Sequence, residues 1–229
     1  MSQTPGFSVD GVLDALRMQP PRIHGGGRAV MFVSARRGEG VTTVARAVAQ
    51  AAGPGVVYAV DLDLRRNGLA KALCETESLG PKLDGRLQGV SFYSVRGPGN
   101  VVMREVTPAF SYHRVGRSLV HAGVFDARLL PQTAKVAVSA RPEYWNAARS
   151  NGATVVIDAP ALERSQVALR VAPHMDGVVL VVGADAGAAP AAIAAKAALV
   201  GAGSNVIGLV YTGADAPVMA MERLLRQAG

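Results

Sequence analysis

Short runs of apolar residues, bounded by glycine, proline or polar residues, recur along the chain and predict strands that alternate with helices. The apolar positions within these runs are continuous rather than alternating, which indicates strands buried on both faces of a parallel sheet. We therefore expect an α/β fold, with a mainly parallel twisted sheet and helices on both of its faces. The predicted strands are 29–34, 56–60, 154–157, 178–182 and 206–210, and the predicted helices are 42–52, 68–73, 189–200 and 217–227.

The chain between about residues 80 and 140 has a different pattern. Gly-Pro-Gly-Asn at 97–100 lies between apolar runs at 91–96 and 101–106, and this is the composition of a β-hairpin. We expect the stretch 80–140 to form an antiparallel insertion at the edge of the parallel sheet. Two further strands are predicted at 110–114 and 124–129, followed by a helix at 141–150 with Pro142 in its first turn.

The N-terminal part of the chain predicts a short helix that precedes the main domain. Apolar residues at helical spacing indicate an amphipathic helix at 9–18, and three consecutive glycines at 25–27 indicate a flexible joint. The predicted organisation is an N-terminal helix and linker at 1–27 and one domain at 28–229, which contains the divergent insertion.

Composition places the chain among globular proteins. Of its 229 residues 49% are hydrophobic and 18% are charged, a balance that differs from that of disordered chains. The longest weakly polar stretch, 186–203, contains Pro190 and Lys196 and lacks the ~20 strongly apolar residues of a membrane span. A single cysteine, Cys74, leaves no disulfide within the chain. Together with an N-terminus that has no signal-peptide pattern, these features predict a cytoplasmic protein.

The net charge of +7 has two interpretations that the sequence leaves open. It matches an anionic partner such as nucleic acid, acidic lipid or phosphate. The arginine-rich usage of a high-GC genome also accounts for it, since most of the 24 basic residues are arginines scattered along the chain. Because no basic run stands out, nucleic acid is not the expected partner.

A glycine-rich turn lies between the first predicted strand and the helix that follows, at residues 35–43 (Ala-Arg-Arg-Gly-Glu-Gly-Val-Thr-Thr). Gly38 and Gly40 are where a phosphate-binding loop needs glycines, because its backbone N–H groups converge on phosphate beside a helix N-terminus. Thr42 supplies the hydroxyl that such loops direct at Mg²⁺. The phosphate-contacting lysine is replaced by Val41. The segment therefore predicts a phosphate-binding loop that has lost its lysine.

Carboxylates follow two of the predicted strands. Asp61 and Asp63 come after the strand at 56–60, and Asp158 comes after the strand at 154–157. Because the carboxyl ends of parallel strands meet at one edge of a sheet, we expect these carboxylates to lie beside the glycine-rich turn. There they can hold Mg²⁺ or accept a proton from an attacking group.

Four segments of the chain form a recognisable set: Gly38-Glu39-Gly40, 61–66 (Asp-Leu-Asp-Leu-Arg-Arg), 157–160 (Ile-Asp-Ala-Pro) and 175–182 (Met-Asp-Gly-Val-Val-Leu-Val-Val). Together they resemble the P-loop proteins of the ParA/MinD type, and among them the bacterial tyrosine kinases of capsule and exopolysaccharide synthesis (CpsD/CapB-like). The resemblance covers about 28–75 and 150–213, whereas the centre of the chain has no recognised counterpart. It implies a fold of the P-loop NTPase kind.

The resemblance also implies ligands, partners and site residues. The ligands would be ATP or ADP with Mg²⁺, and Asp61 would be the catalytic base. The partner would be an inner-membrane polysaccharide co-polymerase, with a homo-oligomer forming at the cytoplasmic face of that membrane. The implied metal ligands are Thr42, Asp61, Asp63 and Asp158, and the implied nucleotide-contacting residues are Arg36, Arg37, Gly38, Glu39, Gly40, Val41, Thr42 and Thr43.

The sequence departs from this family at positions that bind phosphate or are phosphorylated. A hydrogen bond to a charged group is worth roughly 1.5–3 kcal/mol, so Val41 in place of lysine weakens nucleotide binding about tenfold to a hundredfold. The last residues, 213–229, also lack the tyrosine cluster that such kinases phosphorylate on themselves. We therefore hypothesise a degenerate, pseudokinase-like relative that regulates or scaffolds exopolysaccharide or adhesin polymerisation and export. The alternative is an active ATPase or tyrosine autokinase in which Arg36 or Arg37 replaces the lysine.

Overall fold

The computed structural model describes residues 9–20, 22–23, 26–103, 108–185 and 187–213. The helix predicted at 217–227 and part of the strand predicted at 101–106 lie outside these ranges. The described strands, in chain order, are β1 (Arg28–Ser34), β2 (Val57–Asp61), β3 (Leu79–Asp84), β4 (Tyr93–Arg96), β5 (Val102–Met103), β6 (Phe110–Val115), β7 (Val120–Phe125), β8 (Lys135–Val138), β9 (Thr154–Asp158), β10 (Gly177–Gly183) and β11 (Val206–Thr212).

The main sheet contains eight strands in the order β11-β10-β1-β9-β2-β7-β6-β3. The strands from β11 to β7 pair in parallel, and β6 and β3 continue the sheet in antiparallel pairing at one edge. The predicted mainly parallel sheet with an antiparallel insertion is thus confirmed. The central strands β1 and β10 are buried along almost their whole length. Their continuous apolar runs are the sequence signal of strands covered on both faces.

Helices cover both faces of this sheet, and those described are α1 (Val9–Arg17), α2 (Val41–Ala51), α3 (Gly68–Leu73), α4 (Glu143–Ser150), α5 (Val167–Val171) and α6 (Ala188–Gly201). On one face α1 and α2 contribute Leu16 and Val48 to a buried cluster that includes Phe32 of β1. On the other face α4 and α6 contribute Trp145 and Leu199. Among the described helices, none combines the length and the apolar character that crossing a bilayer requires.

The predicted hairpin around 97–100 is confirmed, but it belongs to a separate sheet. In this three-stranded antiparallel sheet the strand order is β5-β4-β8. Arg96 of β4 lies opposite Val102 of β5 on one side and opposite Lys135 of β8 on the other. The hairpin therefore does not extend the edge of the main sheet, because β6 and β3 occupy that edge.

The strand predicted at 124–129 is wrong in its position. The strand β7 spans Val120–Phe125, and a short 3₁₀ turn follows at Ala127–Leu129. Asp126 ends the strand because its carboxylate accepts a hydrogen bond of 3.1 Å from the backbone N–H of Arg128. The sequence also gave no signal for β3, β8 and α5, which are short or largely exposed.

A buried ion pair joins the amino ends of the central strands. Arg149 at the end of α4 and Asp176 just before β10 have side chains that are 0% exposed. Arg149 Nε donates a hydrogen bond to Oδ2 of Asp176 at 2.7 Å, and the backbone N–H of Ala29 donates to the same oxygen at 2.6 Å. The pair therefore fixes the starts of β1 and β10 against α4.

Candidate functional site

The carboxyl ends of β1, β9 and β2 lie side by side, because these strands are parallel neighbours in the sheet. Asp61 at the end of β2 is in register with Asp158 at the end of β9. Asp158 is also in register with Phe32 near the end of β1, and the glycine-rich turn begins three residues further on, at Ala35. The fold thus brings the turn and two of the predicted carboxylates to one edge of the sheet.

The glycine-rich turn leads directly into α2. Gly38 and Gly40 have φ angles of +81° and +83°, a left-handed backbone that favours glycine. A side chain at Gly40 would also press on Thr212, because a Cβ atom there would lie 3.3 Å from its Cγ2. Among the described residues no side chain caps the start of α2. The first N–H groups of the helix and the positive end of its dipole are therefore available to an anion at the turn.

Side chains of the protein hold the turn in shape. Thr212, at the end of β11, donates a hydrogen bond of 2.7 Å from Oγ1 to the carbonyl of Glu39. Ser34 donates from its hydroxyl to the carbonyl of Arg36 at 2.8 Å. The buried carboxylate of Glu39 accepts from the backbone N–H of Arg36 at 3.0 Å. The conformation of the turn is thus fixed before any ligand binds.

The guanidinium of Arg36 lies between two carboxylates. Its Nη2 donates to Asp185 at 2.5 Å and to Glu39 at 3.0 Å. These hydrogen bonds, first of all the one with Asp185, raise the pKa of Arg36 above its ordinary value. The positive charge of Arg36 is therefore balanced within the protein.

Thr42, Asp158 and Asp61 form the centre of the site. The Thr42 hydroxyl donates a hydrogen bond of 2.6 Å to Oδ2 of Asp158. Asp61 Oδ2 accepts from the backbone N–H of Gly68 at 2.6 Å, and Oδ1 accepts from the N–H of Asp63 at 2.7 Å. The start of α3 therefore orients Asp61, whereas the start of α2 places Thr42 against Asp158.

Burial governs the charge of the two central carboxylates. Burial first, and then the neighbouring carboxylate of Asp61, raise the pKa of Asp158 to about 7, against the lowering effect of the Thr42 hydrogen bond. Burial likewise raises the pKa of Asp61 to about 6, although three backbone N–H groups oppose this. Among the described residues no arginine or lysine pairs with either carboxylate. The pair would therefore gain from a cation bound beside it.

Asp63 has different surroundings from Asp61. Its carboxylate forms ion pairs with Arg164 and, at 3.3 Å, with Nε of Arg66. Two arginines thus balance the charge of Asp63, and its role as a metal ligand stays a prediction. Within the described ranges no group of three or more histidine, cysteine, aspartate or glutamate side chains is arranged to hold a metal ion. A metal here would need ligands beyond the carboxylates, such as Thr42 and phosphate oxygens.

A pocket of about 740 Å³ opens at this edge of the sheet, a size typical of small-molecule sites. Residues 37–42 of the turn line it together with Asp61 and Asp158, and Val41 contributes an apolar side chain. Arg36 and Thr43 are not among its lining residues. The basic residues that do line it are Arg37, Arg66 and Arg164.

The segment after β9 contributes residues that sequence reasoning missed. Arg164 lines the pocket, and the neighbouring Glu163 accepts a hydrogen bond of 2.7 Å from the backbone N–H of Arg37. The guanidinium of Arg37 itself has no hydrogen-bond partner among the described residues. The only sequence signal for this segment was its position, five and six residues after Asp158 at a strand end. Such a position indicates a loop at the site but not which of its side chains turn inward.

These features define an α/β fold of the P-loop NTPase kind. The glycine-rich turn joins the first strand to a helix, and carboxylates end two neighbouring parallel strands. The sequence matches no protein-family model, and no curated protein matches it.

Solved structures similar to this chain include the chimerical protein CapA2B2, with 15% identity and a TM-score of 0.55 over 89% of this chain and 82% of that one. The kinase domain of Escherichia coli tyrosine kinase ETK has 15% identity and a TM-score of 0.47, covering 83% of this chain and 69% of that one. The kinase domain of VpsO has 18% identity and a TM-score of 0.47, covering 90% and 94%. At 15% identity, the likeness to CapA2B2 shows the fold alone.

Proposed function

We propose that this chain binds a nucleoside phosphate with Mg²⁺ at the pocket beside the glycine-rich turn and transfers phosphate poorly or not at all. It would act as a regulatory relative of the bacterial polysaccharide-synthesis tyrosine kinases. One observation carries the proposal: two buried carboxylates, Asp61 and Asp158, lie beside Thr42 without a counter-ion from the described residues. The neighbouring Val41 lacks the charge that phosphoryl transfer uses.

The donor atoms at this site fit Mg²⁺. This ion prefers hard oxygen ligands, and it usually combines one or two carboxylates with phosphate oxygens and water. Thr42, Asp61 and Asp158 supply a hydroxyl and two carboxylates within one small region. When bound, the ion would supply the positive charge that lets a phosphate approach these acids. The protein's own part is to hold the three side chains in place before the ligand arrives.

The turn and its surroundings fit the phosphates. The left-handed glycines at 38 and 40 and the uncapped start of α2 present backbone N–H groups, the usual donors to phosphate in such turns. Arg37 and Arg164 line the same pocket and can bind phosphate through two N–H groups each. The expected nucleotide affinity is nevertheless below that of a lysine-containing loop, because Val41 offers no donor.

Asp61 remains our candidate for a proton acceptor. Its pKa of about 6 lies close to neutral pH, where a general base works best. Its two oxygens already accept hydrogen bonds, one from the backbone N–H of Asp63 and one from the N–H of Gly68 at the start of α3. These bonds stabilise the ionised form and leave fewer lone pairs for an incoming proton. This arrangement supports a residue that binds and orients more than one that catalyses quickly.

The partner follows from the sequence resemblance alone. We propose that the chain acts at the cytoplasmic face of the inner membrane through a polysaccharide co-polymerase, and that it assembles with copies of itself. A nucleotide-dependent regulator of polymer length or export would need binding and release of nucleotide but not rapid transfer.

Restoring the lysine tests the binding part of this proposal. We expect Val41→Lys to raise ATP affinity about tenfold to a hundredfold in calorimetry with Mg²⁺, because it returns a charged hydrogen bond. The matched control is Val41→Met, which has similar length without charge and should bind as wild type does. With labelled ATP, wild type should transfer far less γ-phosphate to itself than an active autokinase. Efficient transfer by wild type, or equal gains from lysine and methionine, would count against the proposal.

An active ATPase or tyrosine autokinase remains the second candidate, and the pocket-lining arginines favour it. In this alternative Arg37 takes the lysine's role, because Arg36 is held by Glu39 and Asp185. It predicts measurable ATP turnover that Arg37→Ala abolishes and that Arg36→Ala leaves largely intact. Turnover lost only in Arg36→Ala would instead support Arg36 as the replacement.

A further inference from the structure

A second cavity, of about 730 Å³, lies between the small three-stranded sheet and the helices α4 and α5. The sheet contributes Ser94 and Arg96 from β4 and Ala137 from β8, and the start of α4 contributes Glu143. Arg141, just before α4, and Arg170 of α5 complete its polar lining. It shares no lining residue with the pocket beside the glycine-rich turn.

The lining of this cavity carries more positive than negative charge. Arg96, Arg141 and Arg170 are its basic residues, and Glu143 is its acidic residue. Among the described residues none of these arginines forms an ion pair, and Arg96 donates only to the carbonyl of Asn100, at 3.2 Å. Elsewhere on this protein arginines commonly contact carboxylates, as Arg128 contacts Asp126. Within the described ranges, the cavity therefore presents guanidinium groups that have no carboxylate partner.

The register of the small sheet adds to this positive charge. Arg96 of β4 lies directly opposite Lys135 of β8, so their side chains extend from the same face. Like charges placed directly opposite each other in a sheet are destabilising. An anion bound on this face would relieve that repulsion.

The start of α4 also makes the electrostatic potential of this cavity more positive. Pro142 precedes the helix, and no described side chain caps its first N–H groups. The first turn lines the cavity through Glu143 and Tyr144, so the positive end of the helix dipole faces this region. Glu143 offsets part of that charge, whereas the three arginines exceed what it can offset.

We propose that this cavity is a second ligand site, which binds a small molecule carrying a phosphate or carboxylate group. Guanidinium groups bind both of these anions through paired hydrogen bonds. Val90, Val102 and Val138 also line the cavity and offer apolar surface to the uncharged part of such a ligand. This proposal does not rest on nucleotide binding at the glycine-rich turn, because the two pockets share no lining residue.

Calorimetry at low salt with pyrophosphate and with citrate tests this site and distinguishes its two possible anions. The protein would carry Val41→Glu, which places a repelling charge in the first pocket. Against this background, Arg141→Gln should weaken binding by about tenfold, the effect of one charged hydrogen bond. Arg170→Gln should act similarly, and it guards against a folding defect in the first variant. Arg117→Gln removes the same charge from an exposed position outside the cavity and should leave binding unchanged.

Each outcome supports or overturns the proposed second ligand site. Binding of one anion or both that depends on Arg141 and Arg170 supports the site and names its chemistry. The proposal is overturned if neither anion binds, or if Val41→Glu alone abolishes binding. It is equally overturned if Arg117→Gln weakens binding as much as Arg141→Gln, since the effect would then be one of net charge.

Discussion

Two buried carboxylate sites lie at opposite ends of the parallel strands and differ in how their negative charge is balanced. At the amino ends of the strands, Asp176 contacts the guanidinium of Arg149 and the backbone N–H of Ala29. At the carboxyl ends, Asp61 and Asp158 are also buried, but no described arginine or lysine pairs with either. A buried carboxylate is costly unless it is paired. The first site is therefore complete within the chain, whereas the second favours a cation from outside.

This difference separates a structural carboxylate from a candidate functional one. Asp176 joins α4 to the starts of β1 and β10 and leaves little room for a ligand. Asp158 lines an open pocket, and burial together with the neighbouring carboxylate of Asp61 raises its pKa to about 7. Perturbed acids in a pocket are typical of functional sites. Removing the positive partner of Asp176 should therefore lower the free energy of unfolding, whereas removing the negative charge of Asp158 should raise it.

The largest effect is expected at the amino ends. Arg149→Met would leave the buried Asp176 with Arg22 as its cationic neighbour, at 3.8 Å between Nε and Oδ1, and should lower the free energy of unfolding by about 3 kcal/mol. Urea denaturation measures this loss. Arg17→Met, in an exposed pair with Asp14, serves as the control and should change stability by no more than about 0.5 kcal/mol. The double variant Arg149→Met/Asp176→Leu should recover part of the loss, and equal losses in Arg149→Met and Arg17→Met would contradict this account.

At the carboxyl ends of the strands, removal of a buried charge should raise the free energy of unfolding. The raised pKa values mean that the folded protein keeps protons on Asp158 and Asp61 that the unfolded chain has already released. The free energy of unfolding should therefore fall as pH rises from about 4 to 7, and the loss should be complete above pH 7. Asp158→Asn removes one of these charges and should stabilise the metal-free protein at pH 8 by roughly 2 kcal/mol. Denaturation at pH 4.5 and pH 8 measures both effects, and a variant less stable than wild type at pH 8 would disagree.

A smaller effect is expected when Mg²⁺ is added. At ten times its dissociation constant, Mg²⁺ should add about 1.4 kcal/mol to the free energy of unfolding at pH 8. At pH 5 the gain should shrink, because protons then occupy the carboxylates that the ion needs. Thermal denaturation with MgCl₂, compared with NaCl of equal ionic strength, measures the difference. Asp158→Asn should show little of this gain, and an equal gain in wild type and variant would exclude the site.

The smallest effect on the free energy of unfolding is expected from the hydrogen bond that holds the glycine-rich turn. Thr212→Val keeps the shape of the side chain but loses its hydrogen bond to the carbonyl of Glu39. We expect a loss of about 0.5–1.5 kcal/mol in the free energy of unfolding, with weaker nucleotide binding because the turn is less fixed. Thr133→Val, at an exposed position that does not line the pocket, is the matched control. Identical behaviour of the two variants would mean that Thr212 does not hold the turn.

The parallel part of the fold could be predicted because its signals are local. The continuous apolar run of β1 shows that both faces of the strand are buried, and the helix α3 was predicted at its observed bounds. The placement of Asp61 beside Asp158 followed from their positions at strand ends and the general geometry of parallel sheets. These inferences need no knowledge of contacts between distant segments.

The features that could not be predicted from the sequence depend on contacts between distant segments of the chain. The strand β3 is an exposed edge strand that contains Pro81 and Lys82, so no apolar period marks it. The pair of Arg149 and Asp176 joins residues 27 positions apart, and the same sequence pattern also fits two surface charges. Arg36 and Arg37 are adjacent in sequence, and only the positions of Glu39 and Asp185 decide which of them lines the pocket.

Calorimetric titration of ADP into the protein at pH 8, with Mg²⁺ or with EDTA, tests most directly whether Asp61 and Asp158 form part of a nucleotide site. We predict binding by wild type that weakens at least about tenfold when Mg²⁺ is removed or when Asp158 is changed to asparagine. ADP that binds equally well without Mg²⁺ and to the Asp158→Asn variant, or that does not bind wild type at all, would contradict the account.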